Sequence, residues 1–368
     1  MDDPEKAGPT PVQFGDVAGS GAGETDPAAL MGDGIRRLFR YGTAKLHTMR
    51  LVDTAGDVAC KAVGLRPTRI RECGDWLLFR HFPTRGDTKL RSANFCGTHL
   101  VCGFCAIRRG ARMMARYLER FTRIRAARPE LQPYLVTLTV RNGPDLSERL
   151  RHLDQSLTRL NKRRLGKRSR SLMVSIQGAV WSYEVTYSAA HGWHPHVHAV
   201  WLALEEPDQF QLRKEWEEIT TDSFMCDVRP IKAAVRGDGE NEGELVDPFA
   251  KGFAEVFKYA MKAAELPPVV ALEAYSCLRG KRLVRSFGEF YGVPEPANDD
   301  LADDIPEEEL PYIDLLWRYA GEGRYEHAKT VDRSHPELER GSDDVVLREG
   351  LDGEVPAGDL HRPTECPV

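Results

Sequence analysis

The sequence predicts an α+β protein in which an antiparallel sheet carries a histidine pair and a flanking helix carries a tyrosine. Residues 179–187 and 193–204 are rich in β-branched and aromatic side chains, and a short polar turn separates them, as in a β-hairpin. The second segment contains His196 and His198. A later segment with the apolar spacing of a helix contains Tyr259. We therefore expect the histidines on a central strand and the tyrosine helix packed against the sheet.

Other segments have similarly clear periodicity. Further strands are predicted where β-branched or aromatic runs are bounded by turn residues, at 76–82, 134–140 and 227–229. Helices are predicted where apolar residues recur every three or four positions, at 27–50, 106–127, 146–164, 212–220 and 248–265.

The composition predicts a cytoplasmic protein that makes no membrane contact. The chain contains no run of eighteen apolar residues, and its first 28 residues lack the basic and then apolar order of an export signal. Its eight cysteines, three of them between residues 96 and 105, therefore favour metal ligation over disulfides.

Charge is distributed unevenly along the chain. Although the net charge is -5, residues 66–170 contain 25 Lys and Arg against 8 Asp and Glu, an excess that attracts phosphates. Residues 295–368 contain 7 basic against 21 acidic residues, which predicts a solvated acidic tail. The predicted regions are an N-terminal extension that is partly disordered (1–65), a cysteine-rich basic module (66–130), a domain that carries the histidine pair and Tyr259 (131–293) and the acidic tail (294–368).

The histidine pair has the spacing of a metal site. Alternate residues of a strand share one face, so His196 and His198 point the same way. Glu184 lies on the preceding strand, where hairpin pairing can bring its carboxylate beside them as a ligand for Mg²⁺ or Mn²⁺. The alternative is a solvent-facing glutamate on a strand.

Tyr259 has charged neighbours at helical spacing. Glu255 and Lys262 lie four residues before and three residues after it, which places all three on one helix face. In a phosphoryl transfer Tyr259 attacks, Lys262 stabilises the phenolate and Glu255 later orients a water. Three polar residues at this spacing are also typical of an ordinary solvated helix face.

The cysteine cluster predicts a structural zinc site. Cys102 and Cys105 form a Cys-x-x-Cys pair, and Cys96 is close enough in sequence to supply a third thiolate. Spacing alone leaves the fourth ligand open between His99 and Cys73, and the alternative to zinc is a set of buried free thiols.

Two clusters within the basic block are candidates for DNA contacts, although such a run can also be a solvated helix face. They are Arg108, Arg109, Arg112 and Arg116 in the first predicted helix of the block, and Lys162, Arg163 and Arg164 at the end of the second.

The ordered motifs resemble those of the replication initiator (Rep) family of small rolling-circle plasmids, a branch of the HUH endonucleases. The resemblance runs from about Cys73 to Val293. It includes Cys73-Gly74, Ala93 to Cys96, Cys102 to Ala106, Thr137 to Thr139, Glu184 to Tyr187, His194 to His198, Asp227 to Arg229, Lys258-Tyr259 with Lys262, and Leu278 to Lys281.

The resemblance implies that Tyr259 cleaves one strand at a hairpin origin, keeps the 5′ phosphate and leaves a 3′ hydroxyl that primes synthesis. It implies that Glu255 activates water at termination, and it favours Cys73 as the fourth zinc ligand. Expected partners are origin DNA in single-stranded or hairpin form and host helicase and polymerase. The alternatives are a relaxase or single-strand transposase, a non-catalytic zinc-containing DNA-binding regulator, and a metallohydrolase of small phosphoesters.

Overall fold

The computed structural model describes residues 26–32, 34–166, 170–232, 249–257, 263–297, 299–304 and 310–333. The α-helices in these residues are α1 (Pro27–Met31), α2 (Gly34–Ala55), α3 (Asp57–Ala62), α4 (Pro67–Glu72), α5 (Gly103–Ala127), α6 (Leu146–Arg163), α7 (Gln209–Thr220), α8 (Ala250–Val256) and α9 (Pro268–Leu278). The strands are β1 (Trp76–Phe82), β2 (Asp87–Ala93), β3 (Gln132–Thr139), β4 (Ile176–Ser188), β5 (Gly192–Ala203), β6 (Cys226–Pro230), β7 (Val284–Gly288), β8 (Tyr312–Gly321) and β9 (Arg324–Arg333).

The larger sheet is antiparallel and has the strand order β6-β3-β5-β4-β7. The histidine strand β5 is therefore central, and β4 and β5 form the predicted hairpin. This confirms the predicted α+β class and the placement of the histidines. Because strand side chains alternate between faces, each strand contributes to two separate layers of core.

Helices cover both faces of this sheet. On one face Trp181 and Val197 belong to a core cluster that includes residues of α6, α7 and α9. On the other face Val180 and Val200 pack with residues of α5 and α8, including Phe121. The second cluster covers the end of the sheet around Val180 and Leu202, and Glu184 and the histidines lie further along the same face.

The expectation of one continuous helix over residues 248–265 is wrong. Helix α8 ends at Val256, and residues 263–265 form a separate 3-10 turn. Two contacts account for the end of α8: the Ser182 hydroxyl donates to the Val256 carbonyl, and the Phe257 ring stacks on Tyr117 with centroids 5.0 Å apart. Both contacts hold this end of the helix against the sheet and α5.

The expectation of a solvated acidic tail is also wrong for residues 310–333. They form the hairpin of β8 and β9, which pairs with β1 in a second antiparallel sheet of order β2-β1-β8-β9. Apolar residues explain the difference, since Ile313, Leu315 and Trp317 are buried in this hairpin. Asp314 is also buried, at 1% exposure, and its carboxylate pairs with Arg80 at 2.8 Å. The acidic composition of the whole segment hid this short apolar stretch.

Candidate active site and cysteine centre

Strand register brings the predicted metal ligands together. Glu184 on β4 lies directly opposite His196 on β5, and His198 lies opposite Ser182 on β4 and Thr137 on β3. All of these positions are on one face because they are paired across neighbouring strands or separated by two residues. The Glu184 carboxylate oxygen Oε2 lies 3.4 Å from His196 Nε2 and 3.2 Å from His198 Nε2.

The three side chains fit a divalent metal ion. Their ligand atoms all lie within 4.8 Å of one another, and each side chain is at most 20% exposed. A set of two imidazole nitrogens and one carboxylate oxygen suits divalent ions such as Mn²⁺ or Zn²⁺. Three protein ligands leave further coordination positions of such an ion for a substrate or water.

Contacts of the Nδ1 atoms orient both histidine rings. His198 Nδ1 lies 3.1 Å from the Thr137 hydroxyl, and His196 Nδ1 lies 3.4 Å from the backbone carbonyl of His194. Such contacts fix the ring so that the other nitrogen faces the metal. In both rings that other nitrogen is the Nε2 atom that faces Glu184.

Electrostatics at this group favour an ionised carboxylate. Burial opposes ionisation of Glu184, but its contacts with His196 and His198 outweigh burial and hold its pKa well below the usual range. Burial also lowers the pKa of the neighbouring His194, with a further contribution from His196. Glu184 is thus in the form that binds a cation.

The segment that carries the predicted nucleophile begins beside this group. Ser182, which holds the end of α8 through the Val256 carbonyl, pairs with His198 in the sheet. Glu255 lies in the last turn of α8. Tyr259 and Lys262 lie outside the described residues. A cavity of about 380 Å³ adjoins this point, with Ser182 and Phe257 in its wall.

The four cysteines predicted from the sequence and the resemblance form one compact group. Cys73, Cys96, Cys102 and Cys105 are all buried, and their ligand atoms lie within 4.8 Å of one another. The Sγ atoms are 3.5 Å apart for Cys73 and Cys105 and 3.7 Å apart for Cys96 and Cys105. Sulfurs around a tetrahedral zinc with bonds of about 2.3 Å are separated by about 3.8 Å. The group therefore fits zinc.

Surrounding groups support this fit. The Cys96 amide donates to the Cys73 sulfur at 3.3 Å, and the Thr98 amide donates to the Cys96 sulfur at 3.4 Å. The ammonium of Lys45, 2% exposed, donates to the Cys73 carbonyl at 2.9 Å. Such donors and a buried cation stabilise the negative charge of metal-bound thiolates.

His99, the alternative fourth ligand, is not part of the cysteine group. Burial, and then the charge of Arg109, lower its pKa to about 4. Its position is instead in the wall of the 380 Å³ cavity. The fourth member of the group is Cys73, as the resemblance implied.

The arginines of α5 differ from the expectation of a DNA-binding helix. Each of the four predicted residues pairs with an acidic residue of the segment 295–304, which lies against α5. The pairs are Arg108 with Asp303, Arg109 with Glu295, Arg112 with Asp304, and Arg116 with Asp300. Their charges are neutralised within the chain, and Arg108 is only 4% exposed. These arginines therefore support the packing of residues 295–304 on the helix.

The second predicted cluster lies at the C-terminal end of α6. Arg163 pairs with Glu215 and Glu218 of α7. Lys162 is exposed, and the guanidinium of Arg164 lies 4.4 Å from the Phe287 ring centroid. Lys162 and Arg164 line a cleft described below.

Sequence reasoning missed two residues that position the site. Thr137 was recognised only as part of a motif, and Ser182 was not singled out. Both are identified by cross-strand register, since each lies opposite His198 on one side of β5. A hydroxyl residue two positions before the predicted ligand Glu184 was the available signal for Ser182.

Comparison with known proteins agrees with these observations. Residues 87–312, more than half of the chain, match the model of a family described as "Replication protein" (Rep_1). A curated relative named "Protein rep", from Bacillus amyloliquefaciens, is 25% identical over 218 residues that cover 55% of this chain and 62% of the relative. The matched region thus spans less than two thirds of that relative. No solved structure matches. Within the described residues, no helix has the length and apolar character needed to cross a membrane. The chain belongs to the replication protein family.

Proposed function

We propose that this protein initiates rolling-circle replication of a plasmid by nicking one DNA strand at the origin, as an HUH endonuclease. The observation that carries the proposal is the group of Glu184, His196 and His198 on one face of the sheet. The chain that leads to Tyr259 is held beside this group by the hydrogen bond from Ser182 to the Val256 carbonyl. Tyr259 follows Phe257 by two residues, and two residues span at most about 7 Å. The family match supports a role in replication.

The proposed reaction is a phosphoryl transfer. Tyr259 gives its phenol proton to solvent, and the phenolate oxygen attacks the scissile phosphorus. The bond from phosphorus to the 3′ oxygen of the upstream nucleotide breaks, and that oxygen takes up a proton from solvent. The products are a 5′-phosphotyrosine on the downstream strand and a free 3′ hydroxyl on the upstream strand. A divalent ion such as Mg²⁺ or Mn²⁺, held by Glu184, His196 and His198, would polarise the phosphate and stabilise its developing charge.

The other predicted residues have roles in the same cycle. Lys262 stabilises the phenolate before attack. Glu255, in the last turn of α8, orients and deprotonates the water or hydroxyl that later releases the strand. Release by a 3′ hydroxyl transfers the strand, and release by water ends the cycle in hydrolysis. The free 3′ hydroxyl from nicking primes a host polymerase, with a host helicase opening the duplex.

A test of this function uses the full chain with Mn²⁺ and single-stranded hairpin oligonucleotides carrying a 3′ label, analysed on a denaturing gel. We expect a covalent adduct that retains the label, because Tyr259 becomes joined to the downstream fragment. Tyr259→Phe should abolish the adduct and keep DNA binding. His198→Ala should also abolish it, whereas His191→Ala, on the exposed hairpin turn, is the matched control and should not.

The absence of an adduct with every divalent metal, while DNA still binds, would refute the nickase. The zinc-containing DNA-binding regulator would then be the better account. An adduct that carries a 5′ label instead would refute the stated polarity of cleavage.

A further inference from the structure

A cleft separates the C-terminal end of α6 from the edge strand β7, and its wall contains several cations. Its volume is about 470 Å³, and we call it the α6–β7 cleft. The residues that define it here are Lys162, Arg164, Trp181, Arg282, Arg285 and Tyr291. No acidic residue lines the cleft among the described residues. This arrangement of charge differs from that of α5, where each predicted arginine has a carboxylate partner.

The cations of the cleft are only partly neutralised. Arg285 pairs with Asp154 at 2.5 Å, and Arg282, which is 65% exposed, lies 3.8 Å from Glu295. Within the described part of the chain Lys162 and Arg164 form no ion pair. An excess of positive charge therefore faces the cleft, as expected for a site that binds phosphates.

Two buried donors in the cleft lack a well-formed hydrogen bond. Nε of Arg164 has no acceptor in hydrogen-bond geometry, and the indole N–H of Trp181, a residue only 8% exposed, interacts only weakly with the Tyr183 side chain. A buried donor without an acceptor costs about 1–3 kcal/mol, so such groups usually face a ligand or water. Phosphate and base oxygens are suitable acceptors. Tyr291, 73% exposed at the same cleft, offers an aromatic face on which a base can stack.

The cleft adjoins the cavity that lies beside the candidate active site. Arg282 lines both the cleft and the 380 Å³ cavity that contains Ser182 and Phe257. Arg282 lies at the edge of the larger sheet. The next residue, Leu283, is joined to β4 by a hydrogen bond from the Tyr183 amide to its carbonyl, at 3.0 Å. A DNA strand bound on the sheet face that carries the histidines can therefore pass over this edge into the cleft.

We propose that the α6–β7 cleft binds the single-stranded DNA that leads away from the nicking site, an inference that rests on the proposed function. Lys162, Arg164 and Arg282 contact phosphates, and Tyr291 stacks on a base. The predicted arginines of α5 do not take part, because they form ion pairs with acidic residues of the segment 295–304.

The test measures equilibrium binding of a labelled 20-nucleotide single strand by fluorescence anisotropy, without added divalent metal, across a salt series. For Lys162→Gln/Arg282→Gln we expect the slope of log affinity against log salt to become shallower by about 1.4, at about 0.7 per lost phosphate contact. This change in slope corresponds to about 25-fold weaker binding at 0.1 M salt. Tyr291→Ala should weaken binding about fivefold or more without a change in slope.

The matched control is Arg112→Gln/Arg116→Gln, which removes the same charge from α5 and should bind within twofold of the wild type. Thermal unfolding establishes that each variant is folded. If the double α5 variant is unfolded, Arg123→Gln, at an exposed position of the same helix, takes its place as the control. Unchanged affinity and slope for the cleft variant would overturn the proposal, as would an equal loss for the α5 control. A loss confined to duplex DNA would overturn the assignment to a single strand.

Failure of this proposal is distinguishable from failure of the nickase. Binding without added divalent metal requires neither catalysis nor Tyr259, so Tyr259→Phe should bind normally. If the cleft variant binds DNA weakly and the wild type forms no adduct, the cleft proposal stands and the nickase is refuted. If the wild type forms the adduct and the cleft variant binds DNA normally, the nickase stands and the cleft proposal is refuted.

Discussion

Asp303 offers a direct test of how residues 295–304 are held on the helical layer. Its carboxylate accepts from Arg108 at 2.5 Å, from Arg37 at 2.6 Å and from the Leu90 amide at 2.6 Å, so it joins α5, α2 and β2. Removing one partner from a buried ion pair costs about 3–5 kcal/mol, because the remaining charge is left buried. Arg108 is 4% exposed and Arg37 is 28% exposed, so the lower end of that range applies. We predict that Asp303→Asn lowers the free energy of unfolding by about 3 kcal/mol.

The pKa of Asp303 gives an independent estimate. Burial opposes its ionisation, but the charges of Arg108 and Arg37 and the Leu90 amide outweigh burial and lower the pKa from 3.8 to about 2. This shift corresponds to about 2 kcal/mol of stability. Because the folded pKa is lowered, that stability is fully present above about pH 4 and is lost as the pH falls through about 2. The difference between wild type and Asp303→Asn should therefore shrink below pH 4.

The assay is urea unfolding followed by tryptophan fluorescence at pH 7 and at pH 3. The matched control is Asp304→Asn, one residue further along. Asp304 also pairs with an α5 arginine, Arg112 at 2.7 Å, but it is 83% exposed. Exposed pairs contribute at most about 1 kcal/mol, so the control should lose little stability. Equal losses for the two variants, or a loss below about 1 kcal/mol for Asp303→Asn, would refute the reasoning.

Three further predictions concern the two metal groups. Glu184→Gln keeps the shape of the side chain but removes its charge, so titration calorimetry should show at least about tenfold weaker Mn²⁺ binding, and an unchanged affinity would exclude this ligand. Thr137→Val removes the contact to His198 Nδ1 and should weaken Mn²⁺ binding about 10–100-fold with an unchanged circular dichroism spectrum. Cys73→Ser should lower the zinc content measured by elemental analysis from about one ion per chain and lower the melting temperature, whereas Cys277→Ser, outside the group, should change neither.

The grouping of Glu184, His196 and His198 was predictable because it depends on local pattern. Two residues of spacing place His196 and His198 on one face, and a hairpin with a short turn limits which residues of β4 can lie opposite them. Glu184 could therefore be chosen as the carboxylate before any coordinates were known. The orientation of the rings was not predictable in this way, because Thr137 contacts His198 through β3, which lies some sixty residues away in sequence.

Features that depend on long-range contacts were missed for the same reason. The break after α8 is stabilised by Ser182 and Tyr117, and neither contact leaves a mark on the helical periodicity of residues 248–265. The β8–β9 hairpin does leave a local mark, the apolar residues around Asp314 from Ile313 to Trp317, but the acidic composition of residues 295–368 dominated the interpretation. Average charge over a long segment is a weak guide where part of that segment is buried.

The two charge-rich regions of the sequence meet each other in the fold, and this changes how the DNA surface is located. The basic excess of residues 66–170 and the acidic excess of residues 295–368 were counted separately. In the fold Arg112 and Arg116 of the basic region form ion pairs with Asp304 and Asp300 of the acidic region, so these charges neutralise one another. What remains available to phosphates is the charge that no carboxylate reaches. In the described residues Lys162 and Arg164 carry such charge, and Arg282 beside them is paired only with Glu295 at 3.8 Å. All three lie beside the sheet edge that leads to the histidines. The path of DNA is therefore better inferred from unneutralised charge near the metal group than from the density of arginine in the sequence.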